Sequence, residues 1–511
     1  MIMKNNKILK WILLGLLGSI GAGMVLLLTY RHGSGINPDS VSYISAARSL
    51  AKGHGFVTYN GEYLIFQPPL YSFLLALIKI TFSIDPLISA GYLNALLFGL
   101  IVFISGLFFL KHLKSFILVI LGTVSVLVSY ALVQSSLMAL SEPLFIFLLL
   151  LFFRYIESYQ KEHNIYSLLL FSVSAALACL TRYTGVIIIL TGLISIIYWG
   201  KIKFKDKVRH SFIFLFMTCM PIGIWCLRNY FLSGTLVGQR AHSSYTLVDN
   251  LKFFFNTILP WYLPVDLISP YLVFIVLIIV SWMFMELDLW KTSGKDGIKL
   301  VGPSLIFIVF YSVIIIVSST TTAYDHISDR LLSPIYVPII YFLILIIDKI
   351  HQWLAKYIPR KLVTALLGIV IILTMRSPYK NTKYIIEEFI DHSGCEYSSS
   401  QWRNSQIIQY LIQQKQLGKE FTLYSNAPEA VYILANIYSR FSPAKTFYNS
   451  PQLYINLKQR YMWQNDGKVC LIWFNKINRN FLFTIDELQK DKRITTLAQL
   501  NDGWIYIISE K

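Results

Sequence analysis

Apolar runs close to the length that crosses a bilayer recur along most of the chain, with short loops between them that hold many of its basic residues. The runs fall at about residues 11–29, 87–110, 115–137, 142–158, 165–181, 184–200, 211–228, 268–286, 299–318, 331–348 and 362–375. In hydrocarbon such a segment satisfies its backbone hydrogen bonds only as a helix or within a closed barrel, and runs of roughly 20 residues select the helix. The predicted fold class is therefore an α-helical multi-pass membrane protein, with about 11 transmembrane helices at one run per helix. Composition agrees, since 14% of the 511 residues are charged and 55% are hydrophobic, against roughly 25% charged in soluble domains. The net charge of +18 would suggest nucleic acid in a soluble protein. Here the excess sits largely in loops between spans, where it sets orientation instead.

Loop charge can be tested by parity. With Lys4, Lys7 and Lys10 on the cytoplasmic side, the predicted inner loops carry Lys111 and Lys114; Arg154 and Lys161; Lys201, Lys203, Lys205, Lys207 and Arg209; Lys291, Lys295 and Lys299; and Lys349, Lys356, Arg360 and Lys361. That is the positive-inside pattern. Leu70–Ser83 is apolar but too short to cross untilted, and counting it as a crossing would put every later lysine cluster on the wrong side. It is expected to be a juxtamembrane or re-entrant helix. The N-terminal run from Trp11 to Leu28 is long enough to span, so it is expected to be a retained first helix and not a cleaved signal peptide. The Arg31–Gln67 loop, the Met138–Glu142 turn, the Tyr230–Ser269 and Ser319–Arg330 loops and everything beyond about Arg376 then face outward. The expected location is the cell membrane, with the N-terminus cytoplasmic and the tail extracytoplasmic.

The tail is different material. "KEFTLYS" reads as a strand ending at Tyr424, followed by a helix capped by Asn426 with Glu429 three residues on and Pro428 in its first turn. "KVCLIWFN" and "GWIYIIS" are further strand-like runs. The division expected is a transmembrane domain over 1–375 and a small α/β domain over 376–511. No phosphate-binding glycine loop, zinc spacing or nucleophile elbow occurs in the tail, and no internal repeat occurs in the chain. Cys179, Cys219 and Cys226 belong in or beside apolar segments; Cys395 and Cys470 lie where an oxidising compartment would let them pair.

The residues able to do chemistry cluster at the outer ends of the spans. Asp39 follows Pro38 and opens a segment with Val41, Ile44, Ala47 and Ala51 on one face, closed by Gly53. Helix capping by Asp39 or Ser40 is the plain alternative to a functional role. The loop returns to the membrane through "FQPPLY", where Pro68 and Pro69 favour an extended approach. Glu142 begins the fourth span, where it would complement a helix dipole or act as a second acid. Arg182, Arg228, Arg240 and Arg330 sit at or just beyond outer helix ends, suited to phosphate through paired hydrogen bonds or to snorkelling at the interface. His54, His242 and His326 form no recognisable metal set, and outer aromatics such as Trp261, Tyr262 and Tyr324 suit an interfacial belt.

These stretches resemble a known superfamily. Asp39 after the first transmembrane helix, then "Y..AA..L..G.G", then "PPLY", "LSEPLF" (140–145), "LTRYTG" (180–185), "LRNYFLSG" (227–234) and "DRLLSPIYVP" (329–338) look like the GT-C glycosyltransferases. The match is to the bacterial protein O-mannosyltransferase and aminoarabinose transferase-like branch, over about residues 10–350, with the tail not covered comparably. The resemblance implies transfer of a sugar from a polyprenyl phosphate to an acceptor hydroxyl outside the cytoplasm, with Asp39 as catalytic base. Many relatives carry a second acid next to that aspartate; this chain has Ser40, which leaves the work to Asp39 alone or with Glu142.

The chemistry suits the residues. An attacking hydroxyl loses a proton, which a positioned carboxylate accepts. The leaving group is a phosphate, so the second carboxylate a glycoside hydrolase needs is not required. Arg182, Arg228 and Arg330 are the expected phosphate ligands; Tyr43, Gln67, Pro68, Pro69 and Tyr71 are expected to shape the pocket. No cofactor or metal is expected. The expected partners are a polyprenyl-phosphate sugar, an acceptor that is a glycan, a lipid or a protein, and the bilayer. A transporter or flippase would show inverted repeats with charges at midplane, and a polysaccharide polymerase or ligase would place its functional residues in a large late loop. A noncatalytic relative is the reading that Ser40 keeps open.

Overall fold

The computed structural model describes residues 2–509 apart from 201, 263–297, 415, 447, 449 and 451–467. The expected span at 268–286 and the basic residues Lys201, Lys291 and Lys295 lie outside the described residues.

The other ten apolar runs each fold as helix. In chain order the helices are α1 (Ile2–His32), α2 (Pro38–Ala51), α3 (Leu70–Phe82), α4 (Pro86–His112), α5 (Phe116–Leu127), α6 (Tyr130–Leu137), α7 (Glu142–Glu162), α8 (Ile165–Thr181), α9 (Val186–Ile194), α10 (Phe204–Ser233), α11 (Leu247–Tyr262), α12 (Ile298–Thr321), α13 (Asp329–Leu354), α14 (Arg360–Thr374) and α15 (Arg376–Asp391). Among the described residues, six helical segments are individually long and apolar enough to cross a membrane, and the bent α5–α6 pair would make a seventh. The run at 115–137 is thus broken, not continuous. It bends by 44°, and the carbonyls freed there find partners: Thr382 donates to the Val128 carbonyl at 2.8 Å and Tyr336 to that of Ser125 at 3.0 Å. Such replacement is what makes a break tolerable inside a bundle. The short Leu70–Ser83 run forms the 13-residue α3.

Small residues let α1 and α4 cross closely. A Cβ on Gly18 would meet the Gly99 carbonyl oxygen at 2.8 Å, and one on Gly99 would meet that of Gly18 at the same distance. Without a hydrophobic drive between helices in lipid, such backbone approach supplies dispersion contact.

The tail holds a five-stranded sheet in the order β2-β1-β3-β5-β4, built from β1 (Thr422–Ser425), β2 (Arg440–Phe441), β3 (Val469–Phe474), β4 (Arg493–Leu500) and β5 (Gly503–Ser509). β1 lies parallel to β2 and β3, and β5 antiparallel to β3 and β4. The helix after β1 runs Pro428–Ala435 with Ala427 at its N-cap, so Asn426 is not the cap. Its side-chain amide instead donates to the Phe474 carbonyl at 2.8 Å and its oxygen accepts from the Phe474 amide at 2.9 Å, tying β1 to the end of β3. Cys395 and Cys470 are both free thiols, so the disulfide considered from sequence is not formed.

Segments that charge parity put on one side meet at one end of the bundle. The first loop pairs with the 137–139 turn and with 395–397, the Ala323 amide donates to the Ala241 carbonyl at 2.9 Å, and Tyr448 of the tail donates to Asp325 at 2.5 Å.

Candidate active site

Asp39 lies in the first turn of α2, yet it does not cap the helix. That task falls to Asn37, whose side-chain oxygen accepts from the Ser40 amide and hydroxyl, both at 2.9 Å. Capping is thus satisfied two residues earlier, and the Asp39 carboxylate is left to other partners. One oxygen accepts from the Gln67 amide at 2.9 Å and the other from the Arg330 guanidinium. Gln67 is delivered by the turn into α3. Pro69 there already has helical backbone angles, φ −85° and ψ −18°, so the expected extended approach ends at Pro68, two residues before the helix.

Arg330 sits in the first turn of α13, and the sequence "DRLLSP" explains how that turn is held. Pro334 has no N–H to give the carbonyl four residues back. The Ser333 hydroxyl takes its place, donating to the Arg330 carbonyl at 2.9 Å, while Tyr311 donates to the Leu331 carbonyl at 2.9 Å. From this turn the guanidinium reaches both acids, with Nε 2.8 Å from Glu142 Oε1.

Glu142 starts α7 and is wholly buried. A second guanidinium approaches it from Arg182, 2.5 Å from the same carboxylate oxygen. Arg182 closes α8 in an extended conformation, φ −147° and ψ 139°. The chain then folds back on α8 so tightly that a Cβ on Gly185 would lie 2.7 Å from Cys179 Cα. "LTRYTG" is thus a helix end that aims Arg182 inward. The result is a ladder of alternating charge, Asp39, Arg330, Glu142 and Arg182, that balances to neutrality. Its side chains are 33%, 26%, 0% and 13% exposed in that order, so the ladder opens to solvent at the Asp39 end and closes at Glu142.

Burial pushes the Asp39 carboxyl pKa up; Arg330, Gln67 and Arg182 together outweigh it, and the net direction is downward. Arg330 bridges Glu142 to Asp39. The second oxygen of Glu142 and the Arg182 Nε are buried with no hydrogen-bond partner, so the ladder keeps polar capacity for an incoming group. Among the described residues no three His, Cys, Asp or Glu side chains gather to hold a metal.

Of the residues expected to shape a pocket, Gln67 touches the ladder and Tyr43 and Tyr71 pack next to it. Tyr43 shares a hydrogen bond of 2.9 Å with Ser141, next to Glu142, and packs edge-on against Tyr71 with centroids 5.2 Å apart. Tyr71 donates to Asn94 at 3.2 Å, and the Asn94 amide donates to the Met138 and Leu140 carbonyls at 2.6 and 3.2 Å. A lone buried asparagine in the apolar run of α4 was the sequence signal for this brace, and sequence reasoning passed over it. Pro68 is buried.

Arg228 stands elsewhere. It lies 4.5 Å over the Trp225 ring, with Tyr63 on another side at 5.5 Å, and donates to the Leu64 carbonyl at 2.8 Å. Tyr183 braces the same loop by donating to the Ile65 carbonyl at 2.7 Å while accepting from Trp225 and Asn229, both at 3.1 Å. Arg240 rests between Phe66 and Tyr324 at 5.2 and 5.1 Å. Trp261 is buried and donates to Asp329, the neighbour of Arg330, at 2.6 Å, so it is no belt residue.

No protein-family model matches the sequence, and no curated protein matches it. Solved structures do. The apo form of ArnT from Cupriavidus metallidurans superposes with a TM-score of 0.61 at 10% identity, over 97% of this chain and 97% of that one. The chain shares the fold of that ArnT. The same ArnT bound to undecaprenyl phosphate matches at TM-score 0.61 and 10% identity, over 97% and 98% of the two chains. The archaeal oligosaccharyltransferase AglB from Archaeoglobus fulgidus, in complex with an inhibitory peptide and a dolichol-phosphate, matches at TM-score 0.54 and 10% identity. It is covered over 66% of its length by 85% of this chain. At these identities the likeness is one of fold, and it runs through the tail as well as the bundle.

Proposed function

We propose that the protein is an integral-membrane glycosyltransferase that moves a sugar from a polyprenyl-phosphate donor to an acceptor hydroxyl on the extracytoplasmic side. The observation that carries this reading is the ladder itself: a half-open carboxylate and two guanidiniums at one end of a GT-C fold. Structures of that fold have been solved with undecaprenyl phosphate and dolichol-phosphate bound.

The acceptor oxygen attacks the anomeric carbon from the face opposite the phosphate, which makes the transfer inverting. Its proton passes to Asp39, the bond from the anomeric carbon to the phosphate oxygen breaks, and its electron pair leaves on the phosphate. Arg330 and Arg182 supply positive charge to that oxygen. Glu142 holds both guanidiniums, Gln67 keeps Asp39 oriented, and Arg228 shapes the loop that frames the pocket. In this reading the positive charge comes from the chain, without a metal. About 11 spans, a cytoplasmic N-terminus, a transmembrane domain over 1–375 and an extracytoplasmic domain over 376–511 complete it.

A flippase or polysaccharide polymerase is the competing class. Mass analysis of cell-envelope lipids and glycans with and without the gene tests the reading. A sugar lost from one acceptor, with its lipid-linked precursor accumulating, is the expected result. Loss of a whole polymer or accumulation of an unflipped lipid would favour the alternative.

A further inference from the structure

The tail grips the backbone just ahead of Asp39. Gly35 and Ile36 form a two-residue strand between two others. On one side the Gly35 amide donates to the Leu137 carbonyl and the Ala139 amide to that of Gly35, both at 2.9 Å. On the other the Ile36 amide donates to the Cys395 carbonyl at 3.2 Å and the Tyr397 amide to that of Ile36 at 3.0 Å. The first partner leads directly to Glu142, and the second belongs to the tail.

That second partner is itself anchored. Tyr397 is 4% exposed, packs edge-on against Trp402 at 5.1 Å, and its hydroxyl accepts from Arg479 at 3.2 Å. Arg479 pairs with Glu429 through bonds of 3.0 and 3.2 Å, and Trp402 packs at 5.2 Å against Phe474 of β3. Farther along α2, Arg48 lies 5.7 Å over the Tyr432 ring of the Pro428–Ala435 helix. The helix that carries Asp39 is therefore held by the tail ahead of its first turn and again near its last.

We propose that the Cys395–Tyr397 segment is a positioning element for catalysis: by clasping Ile36 it fixes the start of α2 and so the aim of the Asp39 carboxylate. This rests on the reading of Asp39 as the base. Small displacements of a reacting group cost large factors in rate, and a site is only as well placed as the shell that supports it. The clasp is a main-chain device and leaves Arg182, Arg330 and Glu142 untouched, so its loss should lower turnover and spare phosphate binding.

The test uses the full chain in nanodiscs for binding of undecaprenyl phosphate, and membranes of the gene-deleted host for the rate of sugar transfer. Tyr397→Pro removes the amide that Ile36 receives. The expected result is transfer slowed by about ten-fold or more, with undecaprenyl phosphate bound as in the unmodified protein. Should that variant fail to fold, a cross-link decides. A Cβ on Gly35 would lie 3.2 Å from Cys395 Cβ and 2.9 Å from Met138 Cγ, so a disulfide, whose Cβ atoms lie roughly 3.5–4.5 Å apart, needs the two segments to part by a few tenths of an ångström and the flexible Met138 to move aside. Gly35→Cys should cross-link to Cys395 on oxidation and transfer equally well oxidised and reduced, because the clasp stays closed through turnover. A folded Tyr397→Pro protein with the unmodified rate, a Gly35→Cys protein that does not cross-link, or a cross-link that halts transfer until reduced would each overturn the proposal. Asp39→Asn is run alongside: transfer retained there removes the base assignment, a failure separate from that of the clasp.

Discussion

Arg330 holds Asp39 across 291 positions of sequence and, through its Nε, holds Glu142 at 2.8 Å as well. One guanidinium therefore governs both acids of the site. A carboxylate bound in this way is fully ionised but weakly basic. In the proposed transfer, a donor phosphate would compete for Arg330 and loosen its hold on Asp39.

The pH dependence of transfer follows from that contact. The Asp39 pKa is lowered in the folded protein, so its carboxylate is ionised above that value and is protonated as pH falls through it. Transfer should persist well into mildly acidic conditions. Replacing Arg330 by Gln removes the main charge that lowers the pKa and leaves burial, which raises it. The acid limb of the pH–rate profile should then move to higher pH, and an unmoved limb would show that Arg330 does not set the basicity of Asp39.

Glu142→Gln should be costly to stability. Glu142 is wholly buried between two guanidiniums, and removing one partner of a buried ion pair typically costs about 3–5 kcal/mol. The apparent melting temperature in detergent should drop markedly, while Glu142→Asp should recover part of it. An unchanged melting temperature for Glu142→Gln would mean the ladder is not a structural element.

Tyr183→Phe tests the brace of the first loop. The hydroxyl serves Ile65, Trp225 and Asn229, and each buried group left unpaired costs about 1–3 kcal/mol. Protease cleavage within residues 56–66 should become faster in this variant. Equal cleavage rates would assign the loop's order to Arg228 instead.

Much of this site was legible because its residues sit in short motifs at helix ends, where an ionisable group is out of place unless it has a task. Glu142, Arg182 and Arg330 follow from that logic, Asp39 from its place in the first loop and from the resemblance, and Gln67 from the loop's return to the membrane; the structure brings them together. What the sequence did not reveal are pairings. Nothing in a periodic pattern tells that Arg330 rather than solvent meets Asp39, or that Arg228 turns to the Leu64 carbonyl. Local competition hid other features: Asn37 caps α2 although Asp39 and Ser40 were equally good candidates, and Asn426 ties two strands where it was expected to cap a helix. The bend at Val128 was invisible because α5 and α6 read as one apolar run. The Gly35–Ile36 clasp carries no side-chain signature at all.

Whether Asp39 takes the acceptor proton is read from the transfer rate of Asp39→Asn set beside its binding of undecaprenyl phosphate. Asparagine keeps the shape and the Gln67 contact but cannot accept the proton, and a general base contributes about 10²–10⁴-fold in rate. The account predicts a loss of at least about a hundred-fold in transfer, with the lipid phosphate still bound. Transfer near the unmodified rate in a protein that binds the lipid phosphate normally would contradict it.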